Sequence, residues 1–99
     1  LEEDYEAALA DLDHAVSLAP DDGAARFHRG EIRALVEDHE GALEDFDRAI
    51  VIAPKEGKLY AERADCREWL GDDAGAEADR ARARQLGHEP DEEAEADDA

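Results

Sequence analysis

Apolar and polar positions follow one another along this chain with the period of an α-helix, in five stretches separated by short polar breaks. The first, YEAALADLDHAVSL at residues 5–18, sets Ala8, Leu12, Ala15 and Val16 on one face. Asp4 stands at the N-cap position, where its carboxylate accepts a first-turn N–H, and Pro20 stops the helix before a turn at Asp21-Asp22-Gly23. A second helix is predicted over about Gly23–Val36, capped by Asp22, with Ala25, Ile32 and Val36 facing the core. Glu37-Asp38 makes a tight turn into a third, about His39–Ile52, which buries Ala42, Leu43, Phe46, Ala49 and Ile50. The turn at Pro54-Lys55-Glu56-Gly57 leads into a fourth, about Lys58–Leu70, offering Leu59, Tyr60, Cys66 and Leu70 to the core. Gly71 suits a left-handed closing residue, and Asp72 caps a fifth helix over about Asp73–Leu86, with Ala76, Ala83 and Leu86 inward. The expected class is all-α.

These helices repeat themselves at one fixed offset. The step from Pro20 to Pro54 also joins Ala8, Ala42 and Ala76; Ala15, Ala49 and Ala83; and Asp11, Asp45 and Asp79. Leu12 maps onto Phe46 and Val16 onto Ile50. A helix–turn–helix recurring every ~34 residues marks a tetratricopeptide array. From Leu1 to about Leu86 the chain resembles that family, most clearly through Gly30, Ala42-Leu43, Phe46, Ala49 and Pro54. The resemblance implies a right-handed α-solenoid of about two and a half repeats and five helices, over residues 1–87. It departs from the family at Glu37, where glycine is usual, and at His39, where an aromatic residue is usual and partial burial is expected.

In the family, the first helix of each unit lines a concave groove that holds a peptide. Carried over by register, that face presents Phe27, His28, Glu31 and Leu35 from one unit. The next unit presents Lys58, Ala61, Glu62, Asp65 and Trp69, with Leu35 and Trp69 side by side. The expected ligand is a basic segment with one or two apolar anchors. One branch of the family grips a chaperone's C-terminal carboxylate through Lys, Arg and Asn. This chain has no Asn, matches that pattern only at Lys58, and has Glu62 where a base belongs, so that clamp is rejected.

The two ends differ. Where the other helices have Leu12 and Val16, or Phe46 and Ile50, the fifth has Arg80 and Arg84. A terminal repeat needs such a polar outer face, so residues 73–86 read as a capping helix. The first helix lacks its partner within the unit, leaving Tyr5, Leu9 and Leu12 as an uncapped apolar face that a second copy of the chain would cover. The chain begins at Leu1, part-way through a repeat, and reads as a fragment of a longer protein. Residues 88–99, HEPDEEAEADDA, are acidic and poor in large apolar residues, and are expected to be disordered.

Charge narrows the classes. Asp and Glu number 30 against 11 Lys and Arg, for a net charge of −19. Setting aside the seven acids of the last twelve residues leaves 23 acids against 11 bases. Nucleic acid and anionic membrane both require a basic surface and are not expected as partners. No apolar run is long enough to span a bilayer. The lone Cys66 forms no intrachain disulfide and is expected to be a buried, inert thiol; a cytoplasmic location is the expectation.

Candidate chemistry is thin. Arg29 and Arg33, with Arg63 and Arg67 one repeat later, could form an anion-binding row. The matched repetition of Asp11, Asp45 and Asp79 favours an internal Arg–Asp ladder instead. His14, His28, His39 and His88 have no ligand spacing, so no metal is expected, nor any cofactor. No phosphate loop, dinucleotide fingerprint or nucleophile elbow is present. The sequence reading is a non-enzymatic protein-interaction scaffold. The alternatives are a non-catalytic module of a larger enzyme or signalling protein, and a self-association module.

Overall fold

A computed structural model describes residues 4–88. Leu1 and the acidic tail from residue 89 onward lie outside the described residues. Five helices follow in order: α1 (Tyr5–Leu18), α2 (Gly23–Leu35), α3 (His39–Ile52), α4 (Gly57–Trp69) and α5 (Asp73–Gln85). There is no strand among the described residues.

Local chemistry sets most of the boundaries. The carboxylates of Asp4, Asp22, Asp38 and Asp72 accept N–H groups of the first turns of α1, α2, α3 and α5. Glu56, in register with Asp22, makes no such bond at the start of α4. At their C-termini the helices fall into two kinds. α1 and α3 run into Pro20 and Pro54, which have no N–H to continue a helix. α2 and α4 close by a left-handed residue instead. Asp38 N–H donates to Arg33 C=O at 2.7 Å, and Asp72 N–H to Arg67 C=O at 2.8 Å. The left-handed residue is Gly71 after α4 but Glu37, at φ 67°, after α2.

Each helix packs on the next, and α2 also approaches α4, whereas α1 and α3, and α3 and α5, do not approach each other. The stack is thus closed on the side of α2 and α4 and splayed on the other. α2 and α4 form its inner face.

The core runs along the seams between helices. Phe46 and Ala42 of α3 are fully buried against Cys66 of α4, with Phe27 and Ala34 of α2 packed on them. Gly30 of α2 faces the Phe46 ring so closely that a Cβ there would come within 2.7 Å of it. Ala25, Ala49, Leu59, Tyr60, Ala64, Ala76 and Ala83 are buried as well. Small residues at these contacts let the helix axes come close.

Three expectations need correction. Val36 and Leu70, read as core, are 43% and 41% exposed. Both are C-cap residues one position past their helices, where the helical period no longer directs a side chain inward. Tyr5, Leu9 and Leu12, expected to be bare, are half-buried, because α1 packs against α2.

The Arg–Asp ladder exists, on Asp45 and Asp79 of the three repeated aspartates. Arg29 donates two bonds to Asp45, at 2.8 and 2.9 Å, and Arg33 adds one at 3.1 Å. Arg63 and Arg67 treat Asp79 the same way, at 2.8, 2.9 and 3.0 Å. Asp45 and Asp79 are buried, and Asp11 is exposed with no ion pair among the described residues. The remaining amine of each inner arginine reaches the preceding helix, Arg29 to Asp13 and Arg63 to Asp47, both at 2.9 Å. The hydrogen bonds to Asp45 and Asp79 raise the pKa values of Arg29 and Arg63 further, with burial working in the opposite direction.

Candidate functional site

Because α2 and α4 lie side by side, residues one repeat apart on them become neighbours. At their C-terminal ends they enclose a cavity of about 390 Å³. It is lined by Glu31, Ile32, Ala34 and Leu35 of α2, His39 at the start of α3, and Glu62, Asp65, Cys66 and Trp69 of α4. Leu35 and Trp69, 60% and 69% exposed, are the two large apolar residues at its mouth. The Trp69 indole stacks on the His39 imidazole, with centroids 4.8 Å apart and planes 10° from parallel. Both ring nitrogens of His39 are buried and have no hydrogen-bond partner among the described residues.

The electrostatics have one sign. Three carboxylates line the cavity and no lysine or arginine does. Burial, followed by the fields of Glu31 and Asp65, holds the Glu62 carboxyl above its ordinary range, with Lys58 pulling weakly the other way. Burial also pushes the Cys66 thiol up to about 11, with Glu62 and Asp65 adding to the shift. A thiol held protonated at neutral pH is a poor nucleophile, in keeping with an inert wall residue.

Of the nine residues placed on the groove face by register, five come together here: Glu31, Leu35, Glu62, Asp65 and Trp69. The other four, Phe27, His28, Lys58 and the half-buried Ala61, are not among the cavity's lining residues. Phe27 packs inward on Phe46, with ring centroids 5.9 Å apart, and so belongs partly to the core. Lys58 lies over its outer face, Nζ 5.3 Å from the ring centroid, and His28 stands beside it, exposed. The pairing of His39 with Trp69 escaped the sequence reading. Their separation along the chain is off the repeat period, and they meet only because α3 begins beneath the end of α4.

Among the described residues, no group of His, Cys, Asp or Glu is placed to hold a metal ion. No described helix is long and apolar enough to cross a membrane.

No family model matches the sequence, and no curated protein matches it. Solved structures do. The chain shares its fold with MamA. One MamA structure, from MSR-1, superposes with a TM-score of 0.79 at 24% identity, over 83% of this chain and 47% of that one. Another superposes with a TM-score of 0.81 at 21% identity, over 85% and 49%. The chain therefore spans about half the length of these neighbours. Together with the five antiparallel helices, the likeness establishes an all-α helical-repeat solenoid of the tetratricopeptide type.

Proposed function

We propose that this chain is a tetratricopeptide-repeat scaffold, without catalytic activity of its own, that binds a basic protein segment along the face of α2 and α4. The observation that carries the reading is the cavity at the C-terminal ends of those helices. There Leu35 and Trp69 are exposed side by side within a ring of Glu31, Glu62 and Asp65. Large apolar side chains left in solvent at a concave site are natural anchors for a partner, and Trp is enriched among binding hot spots. The surrounding negative charge selects a cationic partner and speeds its approach.

The test is selection from a random peptide library on the immobilised chain, followed by affinity measurements with the selected peptides. Those peptides should carry Lys or Arg beside an apolar residue, and their affinity should fall as salt is raised. Trp69→Ala combined with Leu35→Ala should weaken them by a few kcal/mol while the circular dichroism spectrum stays helical. Peptides that bind this double variant as well as wild type would remove the groove from the proposal.

A further inference from the structure

The cavity has features that an apolar anchor slot does not need. Its volume of about 390 Å³ lies at the small end of ligand sites and is ample for one long side chain. Its ionisable lining includes Glu31, Glu62 and Asp65 but no Lys or Arg. The buried carboxylates of the core, Asp45 and Asp79, are answered by arginines of the same chain. Asp65 is answered by Arg80 at 3.2 Å, but Glu31 and Glu62 make no ion pair among the described residues. Burial, followed by the fields of Glu31 and Asp65, holds the Glu62 carboxyl above its ordinary range. Two aromatic rings, His39 and Trp69, form a flat stacked wall beside them, and the indole is mostly exposed. The buried nitrogens of His39 leave a hydrogen-bond acceptor unused.

We propose that this pocket receives one arginine side chain of the partner, its guanidinium stacked against Trp69 and bonded to the carboxylates of Glu31, Glu62 and Asp65. The chemistry of the group fits each feature in turn. A guanidinium is planar and stacks on an indole face. Its fork of five N–H donors serves carboxylates bidentately and has donors to spare for an imidazole nitrogen. It is more weakly hydrated than an ammonium and enters a partly dry slot at lower cost. A norleucine-like anchor of similar length would leave the carboxylates of Glu31 and Glu62 uncompensated. The inference rests on the groove reading above and specifies what its deepest point recognises.

Trp69 is the only tryptophan of the chain, so its fluorescence reports on this pocket without labelling. The probes are the N-acetyl amides of arginine, citrulline and norleucine, titrated at physiological ionic strength. Citrulline keeps the shape of arginine and removes its charge. The arginine amide should change Trp69 fluorescence saturably, at least tenfold more tightly than either of the others. Glu62→Gln and Glu31→Gln should each weaken the arginine response several-fold with the far-ultraviolet spectrum unchanged. Norleucine binding as tightly as arginine would overturn the inference and leave the groove standing with an apolar anchor. Citrulline equal to arginine, or no saturable response to any of the three, would also overturn it. The groove itself would then be judged by the double alanine variant and the selected peptides.

Discussion

The two helix pairs, α2–α3 and α4–α5, are built on one plan and finished differently. Both carry the same buried carboxylate under two arginines, and both close their first helix through the same pair of backbone bonds. They part where each must meet something different. In the first pair Phe46 fills the interior, and the helix opposite gives way to it with Gly30. In the second, the register puts Arg80 in place of Phe46 and Ala64 in place of Gly30. Arg80 turns outward to Asp65 and Glu68. The lesson is that large and small residues change together. Glycine at position 30 is a response to the ring behind it, not a weakness in the helix.

That comparison can be broken most forcefully at the buried carboxylates. Asp45 faces Arg29, Arg33 and, at 3.8 Å, Arg26, whereas Asp79 faces Arg63 and Arg67. Asp45→Asn should cost about 3–5 kcal/mol, because it strands buried positive charge. Asp79→Asn should cost less, with fewer arginines left facing one another. Urea denaturation of the two variants measures the difference, and equal losses would mean that the two units are not finished as differently as the contacts show.

The next largest effect tests the coupling of ring and glycine. Gly30→Ala should destabilise by about 1–3 kcal/mol, because its Cβ meets the Phe46 ring in a packed interior. In a Phe46→Leu background the penalty should shrink. A double-mutant cycle reads the coupling directly, and additive effects would refute it.

Much of this was legible from sequence because the chain states it twice. The period located the turns, and the repeated Arg and Asp positions forecast the ladder. The outgoing carboxylates Asp13 and Asp47 also repeat in register, but among 30 acids their signal was lost. The placement of Val36 and Leu70 failed for another reason. Hydrophobicity marks them as core, but each falls one residue beyond its helix, where the backbone turns away. Of the candidate site, register supplied Leu35 beside Trp69. It could not supply His39 beneath the indole, a contact between two helix ends rather than between equivalent positions.

The turns offer a smaller effect in opposite directions. Glu37→Gly should stabilise by about 0.5–1 kcal/mol, since a residue with a Cβ is disfavoured at φ 67°. Gly71→Ala, at φ 88°, should destabilise by about 1 kcal/mol. Thermal unfolding of both variants tests whether the two turns are interchangeable.

The smallest effect belongs to the pocket. The pKa of Glu62 is raised in the fold, so the native chain holds that proton more tightly than the unfolded one. The cost of ionising it is absent below its ordinary value of 4.5 and fully present above the raised one, so stability falls as pH rises through that interval. Glu62→Gln should therefore be the more stable protein at neutral pH. Screening at a partly exposed site limits the gain to about 0.5 kcal/mol. Urea titrations at neutral pH and near pH 4 should show the gap closing in acid.

The arginines that reach both ways have an architectural consequence. Arg29 ties α1 and α3 to α2, and Arg63 ties α3 and α5 to α4, so a single line of stitches passes through all five helices. The line has a direction. Its outgoing thread is the carboxylate at positions 13 and 47, and at the corresponding position of α5 stands Ala81. In α1, Asp11 occupies the place that Asp45 and Asp79 take in the sewn units, with no arginine paired to it among the described residues. An array lengthened by design would therefore take a new helix readily before α1, where a knot is waiting to be tied. After α5 it would first need Ala81→Asp.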